Sequence, residues 1–247
     1  MKILPNLIAN WPAPKNVNAL TTTRDFGFSK FPYHLNNLGL HVGDNEKDVL
    51  ANRQELRSSL GLGKEPEWLD QTHSNSCIIV EEDANRTADA AITRSTAHIL
   101  AILTADCLPI LLANKQGTEI AAIHSGWRGL VNGVIENTLA KMNSAPEQLM
   151  AWLGPAICQS CYEVGHEVYE IFTSQYSFAT QGFRPKEEKW LAGLSQLAEL
   201  ILNSLGIVAV YPSQKCTFEQ NKEFYSYRRA SQTGRMATLI WLNEKLG

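Results

Sequence analysis

The stretch Thr104-Ala105-Asp106-Cys107-Leu108-Pro109-Ile110-Leu111-Leu112-Ala113-Asn114-Lys115-Gln116-Gly117-Thr118-Glu119-Ile120-Ala121-Ala122-Ile123-His124-Ser125-Gly126-Trp127-Arg128-Gly129 carries two short apolar runs, 108–113 and 118–123, on either side of a polar break that ends in glycine. Short apolar runs bounded by turn residues read as strands, and a break of this length joins them as a hairpin. Cys107 and His124 then sit at opposite strand termini of that hairpin, roughly facing each other. Side chains so placed on one face approach within about 5–6 Å. The hairpin thus brings a thiol and an imidazole together through local topology alone.

Outward from the hairpin, residues 76–80, 98–103, 150–153, 207–211 and 236–242 are further apolar runs that read as strands. Asp44 can cap a helix through Leu60, with Val49, Leu56 and Leu60 on one face and Gly61 and Gly63 ending it. Leu130, Val134, Ile135, Leu139 and Met142 have helical spacing, with Gly133 a mild penalty. Residues 163–172 and 190–205 read as amphipathic helices, and 21–37, rich in Thr, Gly, Pro and Asn, as an ordered loop system. Strands and helices alternate irregularly and hairpins are present, so the expected class is α+β, with mixed sheets covered by helices rather than a clean doubly wound sheet. No internal repeat interrupts this order.

A chain of 247 residues with 44% hydrophobic content can bury one full core, and nothing in it argues for a linker, so residues 1–247 are expected to form a single domain. The net charge of −3 is spread without acidic or basic blocks, which removes the electrostatic case for nucleic acid or an anionic membrane and leaves small ligands, anionic ones included. The opening Met1-Lys2-Ile3-Leu4-Pro5 is soon interrupted by Asn10, Pro12 and Pro14, a poor signal peptide or membrane span, and the expected location is cytoplasmic. Five cysteines cannot all pair and in a reducing compartment read as core residues, ligands or nucleophiles. Cys77 belongs to the core. Cys158 and Cys161 form a C-x-x-C with no second pair at zinc-ribbon spacing, which favours loop packing.

His73, in Gln71-Thr72-His73-Ser74, joins Cys107 and His124 as a residue placed where an apolar run meets a polar break. Two imidazoles and a thiolate suit tetrahedral Zn2+ and leave its fourth position for water or substrate, a catalytic pattern. The bland alternative is three unrelated residues, because periodicity does not place the His73 loop near the hairpin. His98 reads as a core or surface residue, His166 as solvated, and His34 and His41 as loop residues outside the metal shell. Asp106 can be an acceptor for a ligating imidazole, a general base or a loop cap. Tyr227-Arg228-Arg229 followed by Gly234-Arg235 sets cations in a Ser/Thr/Gly-rich loop suited to anion capture.

Taken in order, Thr-Ala-Asp-Cys-Leu-Pro, Ala-Ile-His-Ser-Gly-Trp-Arg-Gly, Trp-Leu-Gly-Pro-Ala-Ile, Tyr-Glu-Val-Gly and Ser-Tyr-Arg-Arg resemble the YfiH-type family. That family was first called polyphenol oxidase or laccase-domain proteins and later recognised as purine nucleoside phosphorylases; bacterial members are also called peptidoglycan editing factors. The resemblance runs from Thr23 in Thr-Thr-Arg, through Asn37-Leu38-Gly39 and His41-Val42-Gly43-Asp44, to Trp241. It implies zinc on His73, Cys107 and His124, with copper in some members, and an α/β/β/α layered fold shared with a group of cysteine hydrolases. It implies phosphorolysis of adenosine, inosine, guanosine and methylthioadenosine, plus adenosine deamination. Ser125 departs from the expected alanine and the Cys158 loop lacks the usual glycine; neither touches a proposed ligand.

On this reading Cys107, Asp106 and His124 are the catalytic candidates, with Asp106 leading for proton transfer or for orienting the zinc shell. Arg24, Asn37, Gln71, Arg128 and Arg228 are the substrate-binding candidates. The arginines and the helix end after Gly129 would hold inorganic phosphate, and the loop with Arg24 and Asn37 would close over the nucleoside. Three rivals stand beside it. A metal-free cysteine hydrolase would use Cys107 as nucleophile and His124 as base. A copper polyphenol oxidase would need more coppers than one three-ligand site supplies. A zinc-stapled binding protein would have a closed fourth coordination position. Oligomeric state is left open.

Overall fold

The computed structural model describes residues 5–244; residues 1–4 of the opening stretch weighed above as a signal peptide lie outside them. The elements in chain order are β1 (Asn6–Ile8), β2 (Val17–Thr22), α1 (Glu46–Leu60), β3 (Glu67–Trp68), β4 (Cys77–Ile79), β5 (Ala90–Thr93), β6 (Ile99–Thr104), β7 (Leu108–Asn114) and β8 (Ile120–Ser125). They continue with α2 (Trp127–Val131), α3 (Val134–Lys141), β9 (Leu149–Leu153), β10 (Glu163–Val164), α4 (His166–Gln175), β11 (Phe183–Lys186), β12 (Lys189–Ala192), α5 (Leu194–Ser204), β13 (Val210–Pro212) and β14 (Met236–Leu242).

The hairpin forms as β7 and β8, and every residue of both strands is buried. Their unbroken apolar runs follow from position: they lie in the middle of a six-stranded sheet, β13-β9-β7-β8-β5-β4, covered on both faces. A five-stranded sheet, β1-β2-β14-β6-β3, packs against one face. Leu111, Ala122 and Trp152 from the first sheet meet Leu100, Ile102 and Ile240 from the second in one apolar layer. On the far side of the six-stranded sheet Leu108, Ile110 and Ile123 pack with Val134, Phe172, Leu197 and Ile201 from α3, α4 and α5. On the far side of the other sheet Leu20, Leu103 and Leu239 pack with Leu56 of α1. The result is an α/β/β/α stack, and both sheets are mixed: β3–β6, β4–β5 and β9–β13 are parallel pairs among antiparallel ones.

Several local expectations are corrected. Asn45, not Asp44, caps α1, its side chain accepting from Lys47 N–H; Gly61 closes the helix at φ 64° with its N–H returned to Arg57 and Ser58. Asp44 instead accepts from Asn37 Nδ2 at 2.9 Å. The apolar pattern from Leu130 to Met142 is two helices, because Gly133 adopts φ 83° and breaks the run. Residues 163–164 are the strand β10, so α4 starts at His166, and Trp190 lies in β12 rather than in a helix. β10, β12 and β11 form a third, antiparallel sheet, against which Tyr169 stacks on Trp190 at 3.7 Å. The 21–37 region begins with the end of β2, which pairs with β14. Beyond it, buried Asn52 and Arg53 of α1 hold the loop: Asn52 donates to Ser29 Oγ, Leu35 O and Asn37 O, and Arg53 donates twice to Leu38 O.

Candidate metal centre

His124 is the penultimate residue of β8, and the ladder sets it against Pro109 rather than Cys107. Cys107 stands just before β7, one diagonal step from His124, close enough for the pair to converge. His73 arrives from the loop ahead of β4 with its backbone at φ 59°, a left-handed conformation unusual for a residue other than Gly, Asn or Asp. The His73 and His124 rings meet edge to face at 4.8 Å, and Cys107 Sγ lies 3.9 Å from His73 Nε2. One ligand atom from each of the three falls within 4.8 Å of the others. His124 is buried, Cys107 half-buried and His73 exposed, so the cluster has a closed back and an open front.

The group that builds this cluster is one that sequence reading misses. Asp89, fully buried and just ahead of β5, follows on from the Ala90–Ile123 pair of the β5–β8 ladder, and His124 N–H donates to Asp89 O at 2.7 Å. Its carboxylate Oδ1 lies 2.7 Å from His124 Nδ1 and accepts from His73 N–H at 3.1 Å. Oδ2 accepts from Thr72 N–H, Ser74 N–H and Ser74 Oγ at 3.2, 2.6 and 2.7 Å. One carboxylate thereby fixes the loop that presents His73 and the ring of His124, leaving His124 Nε2 free for an ion. A ligating imidazole whose other nitrogen donates to a carboxylate is the usual arrangement in metal sites. Gly126 completes the packing: a Cβ there would stand 3.1 Å from Cys107 Sγ and 3.2 Å from His73 Cδ2.

Electrostatics fit the same donor set. Burial raises the Cys107 thiol, but His124 and His73 outweigh it and bring it down to about 6. Burial likewise lowers His124, yet the Cys107 thiolate and Asp89 raise it to about 9. Asp89 is held below the ordinary carboxylate range: burial alone would raise it, and the bonds from His124 and Ser74 win. Without an ion the centre is thus a thiolate–imidazolium pair backed by a carboxylate. For His124 to ligate an ion it must first shed that proton.

Asp106 sits next to Cys107 but faces away from the cluster. At φ 97° its buried carboxylate accepts from Thr217 Oγ1 at 2.7 Å, Ser226 Oγ at 3.0 Å and Arg228 N–H at 2.7 Å, while its carbonyl accepts from Ile157 N–H. Orienting the imidazole, one role weighed for Asp106, belongs to Asp89; Asp106 ties the Cys107 loop to the 217–228 segment. Gln71 pairs with both backbone groups of Leu103, Nε2 to O at 2.8 Å and Oε1 from N–H at 2.7 Å, and so anchors the His73 loop to β6. Asn37 is buried with its amide spent on Gly39, Asp44 and Arg235. Arg24 donates to Asn221 O and stacks over Tyr225.

Arg128 and Arg228 are exposed, stacking on Trp127 at 4.4 Å and Tyr162 at 5.1 Å. Burial and the Cys107 charge push the Tyr162 phenol up to about 12, with Arg228 and Arg128 pulling the other way, so the phenol feels both the thiolate and the two cations. The helix expected to begin beyond Gly129 starts instead at Trp127, with Gly126 as its N-cap. Tyr162 opens the Tyr-Glu-Val-Gly motif of the resemblance, but the motif alone gives it no role; its place near Cys107 is a product of tertiary structure.

The family model for multi-copper polyphenol oxidoreductase laccase matches residues 18–243. The chain is 44% identical over 236 residues to a Haemophilus influenzae protein named purine nucleoside phosphorylase, covering 94% of this chain and 97% of that one. It is 42% identical over 238 residues to the Escherichia coli purine nucleoside phosphorylase YfiH, covering 96% and 98%. A crystal structure of a Neisseria meningitidis protein superposes with TM-score 0.92 at 43% identity over 96% of this chain and 99% of that one. That of a Bacillus licheniformis hypothetical protein YfiH gives 0.85 at 28% identity over 92% and 93%. With the model match spanning the stacked sheets and the metal-type donor cluster alike, the chain belongs to the YfiH family of laccase-like proteins.

Proposed function

We propose that this protein is a zinc-dependent purine nucleoside phosphorylase, acting on adenosine, inosine, guanosine and methylthioadenosine, with adenosine deaminase activity at the same centre. The observation that carries the reading is the convergence of His73, Cys107 and His124 behind an open front, with Arg228 seated on Asp106, the neighbour of Cys107, and stacked on Tyr162. The names of the relatives supply the substrate class. One sulfur and two nitrogens fit zinc, and copper fits the nitrogens as well. When bound, the ion supplies Lewis-acid polarisation on its open side and a lowered pKa for water there.

The chain's own residues do the rest. Asp89 holds His124 in the tautomer whose Nε2 faces forward and keeps the His73 loop closed. The guanidinium of Arg228, positioned through its backbone N–H on Asp106, and that of Arg128 offer donors for an inorganic phosphate dianion. The Tyr162 hydroxyl, neutral at physiological pH, can donate to the phosphate or to a departing purine nitrogen. Gly126 leaves room for the donors to approach one another. Asn37 and Gln71 act by shaping the loops around the centre, since their amides are engaged at both ends within the chain, whereas Arg24 keeps donors beyond its one bond to Asn221 O, as Arg228 does beyond its bond to Glu163 O.

The test incubates metal-analysed protein with adenosine, inosine and methylthioadenosine, with and without phosphate, and identifies products by mass. Free base plus pentose 1-phosphate, formed only with phosphate and lost on chelation, supports the reading; inosine from adenosine supports deamination. The lowered Cys107 and raised His124 favour one rival, a cysteine hydrolase. Turnover that survives exhaustive chelation and ends on alkylation of Cys107 would establish it. Oxygen-dependent phenol oxidation by copper-loaded protein, without nucleoside cleavage, would instead favour the polyphenol oxidase, and no turnover in any arm the binding protein.

A further inference from the structure

Cys158, Cys161, Cys216 and Glu219 lie outside the centre described above, and their four ligand atoms fall within 4.8 Å of one another. In sequence they are two chelating pairs at the same spacing, Cys158-Gln159-Ser160-Cys161 and Cys216-Thr217-Phe218-Glu219. The second pair is what the C-x-x-C lacks in the sequence reading, because its partner is one cysteine and one carboxylate some distance along the chain. A parallel bridge between Ala156 and Cys216 brings the pairs together. Ala156 N–H donates to Lys215 O, and Thr217 N–H to Ala156 O. The backbone at 159–161 forms a tight turn, with Cys161 N–H donating to Cys158 O at 3.0 Å, which points both thiols to the same side.

We propose that these four residues form a second metal site, a closed site of three cysteines and one glutamate for Zn2+, whose role is to staple the 154–161 and 213–219 segments. Three thiolates and one carboxylate complete a tetrahedral shell with no open position, the form of a structural zinc. Zn–S contacts of about 2.3 Å and Zn–O contacts of about 2.0–2.2 Å put donor atoms about 3.5–3.8 Å apart. The Cys161 Sγ to Glu219 Oε1 separation is 3.6 Å, and the Cys158 and Cys216 sulfurs, 2.9 Å apart, need to part by about an ångström. Cys158 N–H donates to Cys216 Sγ at 3.3 Å, and the N–H groups of Glu219 and Phe218 also face that sulfur, donors that suit a metal-bound thiolate. On binding, each thiol gives its proton to solvent and no electron is transferred. Cys158, Cys216 and Glu219 line a surface cleft of about 420 Å3, which gives an ion its entry path.

The site also bears on the first centre. Ile157, beside Cys158, and Thr217, beside Cys216, both donate to Asp106, the neighbour of Cys107. A staple here fixes two of the segments that hold the Cys107 loop.

The test counts zinc in full-length protein purified with a thiol reductant and follows cobalt substitution of the stripped protein. A Cys107→Ser variant, which removes the sulfur from the first centre, is expected to retain about one zinc and to show sulfur-to-cobalt charge transfer with the intensity of several Co–S bonds. Cys161→Ser in that background should abolish the band, and Glu219→Gln, an exposed and mild change, should weaken cobalt binding at least tenfold while keeping the fold. Cys107→Ser protein with no zinc and no charge-transfer band overturns the proposal. So does a Cys158–Cys216 disulfide, seen by mass, in protein kept under reductant. Neither result bears on nucleoside cleavage, which the product assay reads separately.

Discussion

Asp89 Oδ1 lies 2.7 Å from His124 Nδ1, and the same carboxylate gathers the backbone N–H groups of Thr72, His73 and Ser74. An asparagine in this place keeps one acceptor oxygen but turns a donor toward N–H groups that already donate. Asp89→Asn is therefore expected to lose 10- to 100-fold in zinc affinity, on the order seen when an orienting partner of a metal ligand is removed. Competition against a chelator measures it; unchanged affinity would show that the imidazole needs no orienting group.

The protonation state of the empty donor set predicts a pH dependence of metal binding. His124, raised to about 9, carries a proton at neutral pH, whereas Cys107, lowered to about 6, does not. An ion can bind only neutral imidazole, so between pH 7 and about 9 binding releases the His124 proton and affinity climbs about tenfold per pH unit, levelling above that. Calorimetry in buffers of different ionisation enthalpy reads the released proton directly. A flat affinity over this window would mean that His124 is already neutral without metal.

Asp106→Asn separates the two roles weighed for that carboxylate. Its partners are Thr217, Ser226 and the Arg228 backbone, none of them a metal ligand. The variant should keep its zinc, lose about 2 kcal/mol of stability, as for hydrogen bonds to a charged group, and show a raised KM for phosphate as Arg228 loses its seat. Zinc loss with unaltered melting would return Asp106 to the metal shell.

What is legible in the sequence, and what is not, follows from the range of each interaction. The β7–β8 hairpin is readable because strands covered on both faces become unbroken apolar runs joined by a short turn. The three candidate ligands are readable as residue types at polar breaks. Asp89 is not: it is one acid in an alanine-rich segment, and its meaning comes from the β5–β8 register and from a loop that folds back across it. The β11–β12 hairpin is hidden for a different reason. Its two-residue turn is Glu187-Glu188, with Glu187 at φ 51°, and lacks the Asn-Gly or Asp-Gly signal that marks such turns.

Ser125 offers a test of stability apart from chemistry. Its side chain is fully buried in the β7–β8 ladder, and its hydroxyl has no hydrogen-bond partner among the described residues. An unsatisfied buried hydroxyl carries a desolvation cost, so Ser125→Ala should raise unfolding stability by about 1 kcal/mol with zinc content unchanged. A loss of stability in denaturant titration would reveal a partner for the hydroxyl, such as an ordered water.

Gly126→Ala tests how closely the chain must approach the metal donors. The backbone at Gly126 has φ −73° and ψ 169°, open to any residue, so the substitution adds no backbone strain and acts only through its methyl group. That methyl would stand 3.1 Å from Cys107 Sγ and 3.2 Å from His73 Cδ2, tighter than ordinary contact on both ligands at once. Cys107 is tied through Asp106, and His73 through Asp89, so neither can yield without disturbing a buried carboxylate. The expected result is a folded protein with zinc affinity reduced at least tenfold and nucleoside cleavage reduced with it, both recovered in part by excess zinc. Full zinc retention with normal turnover would mean that the loops relax freely, and that the rigid clustering of His73, Cys107 and His124 is not needed to hold the ion.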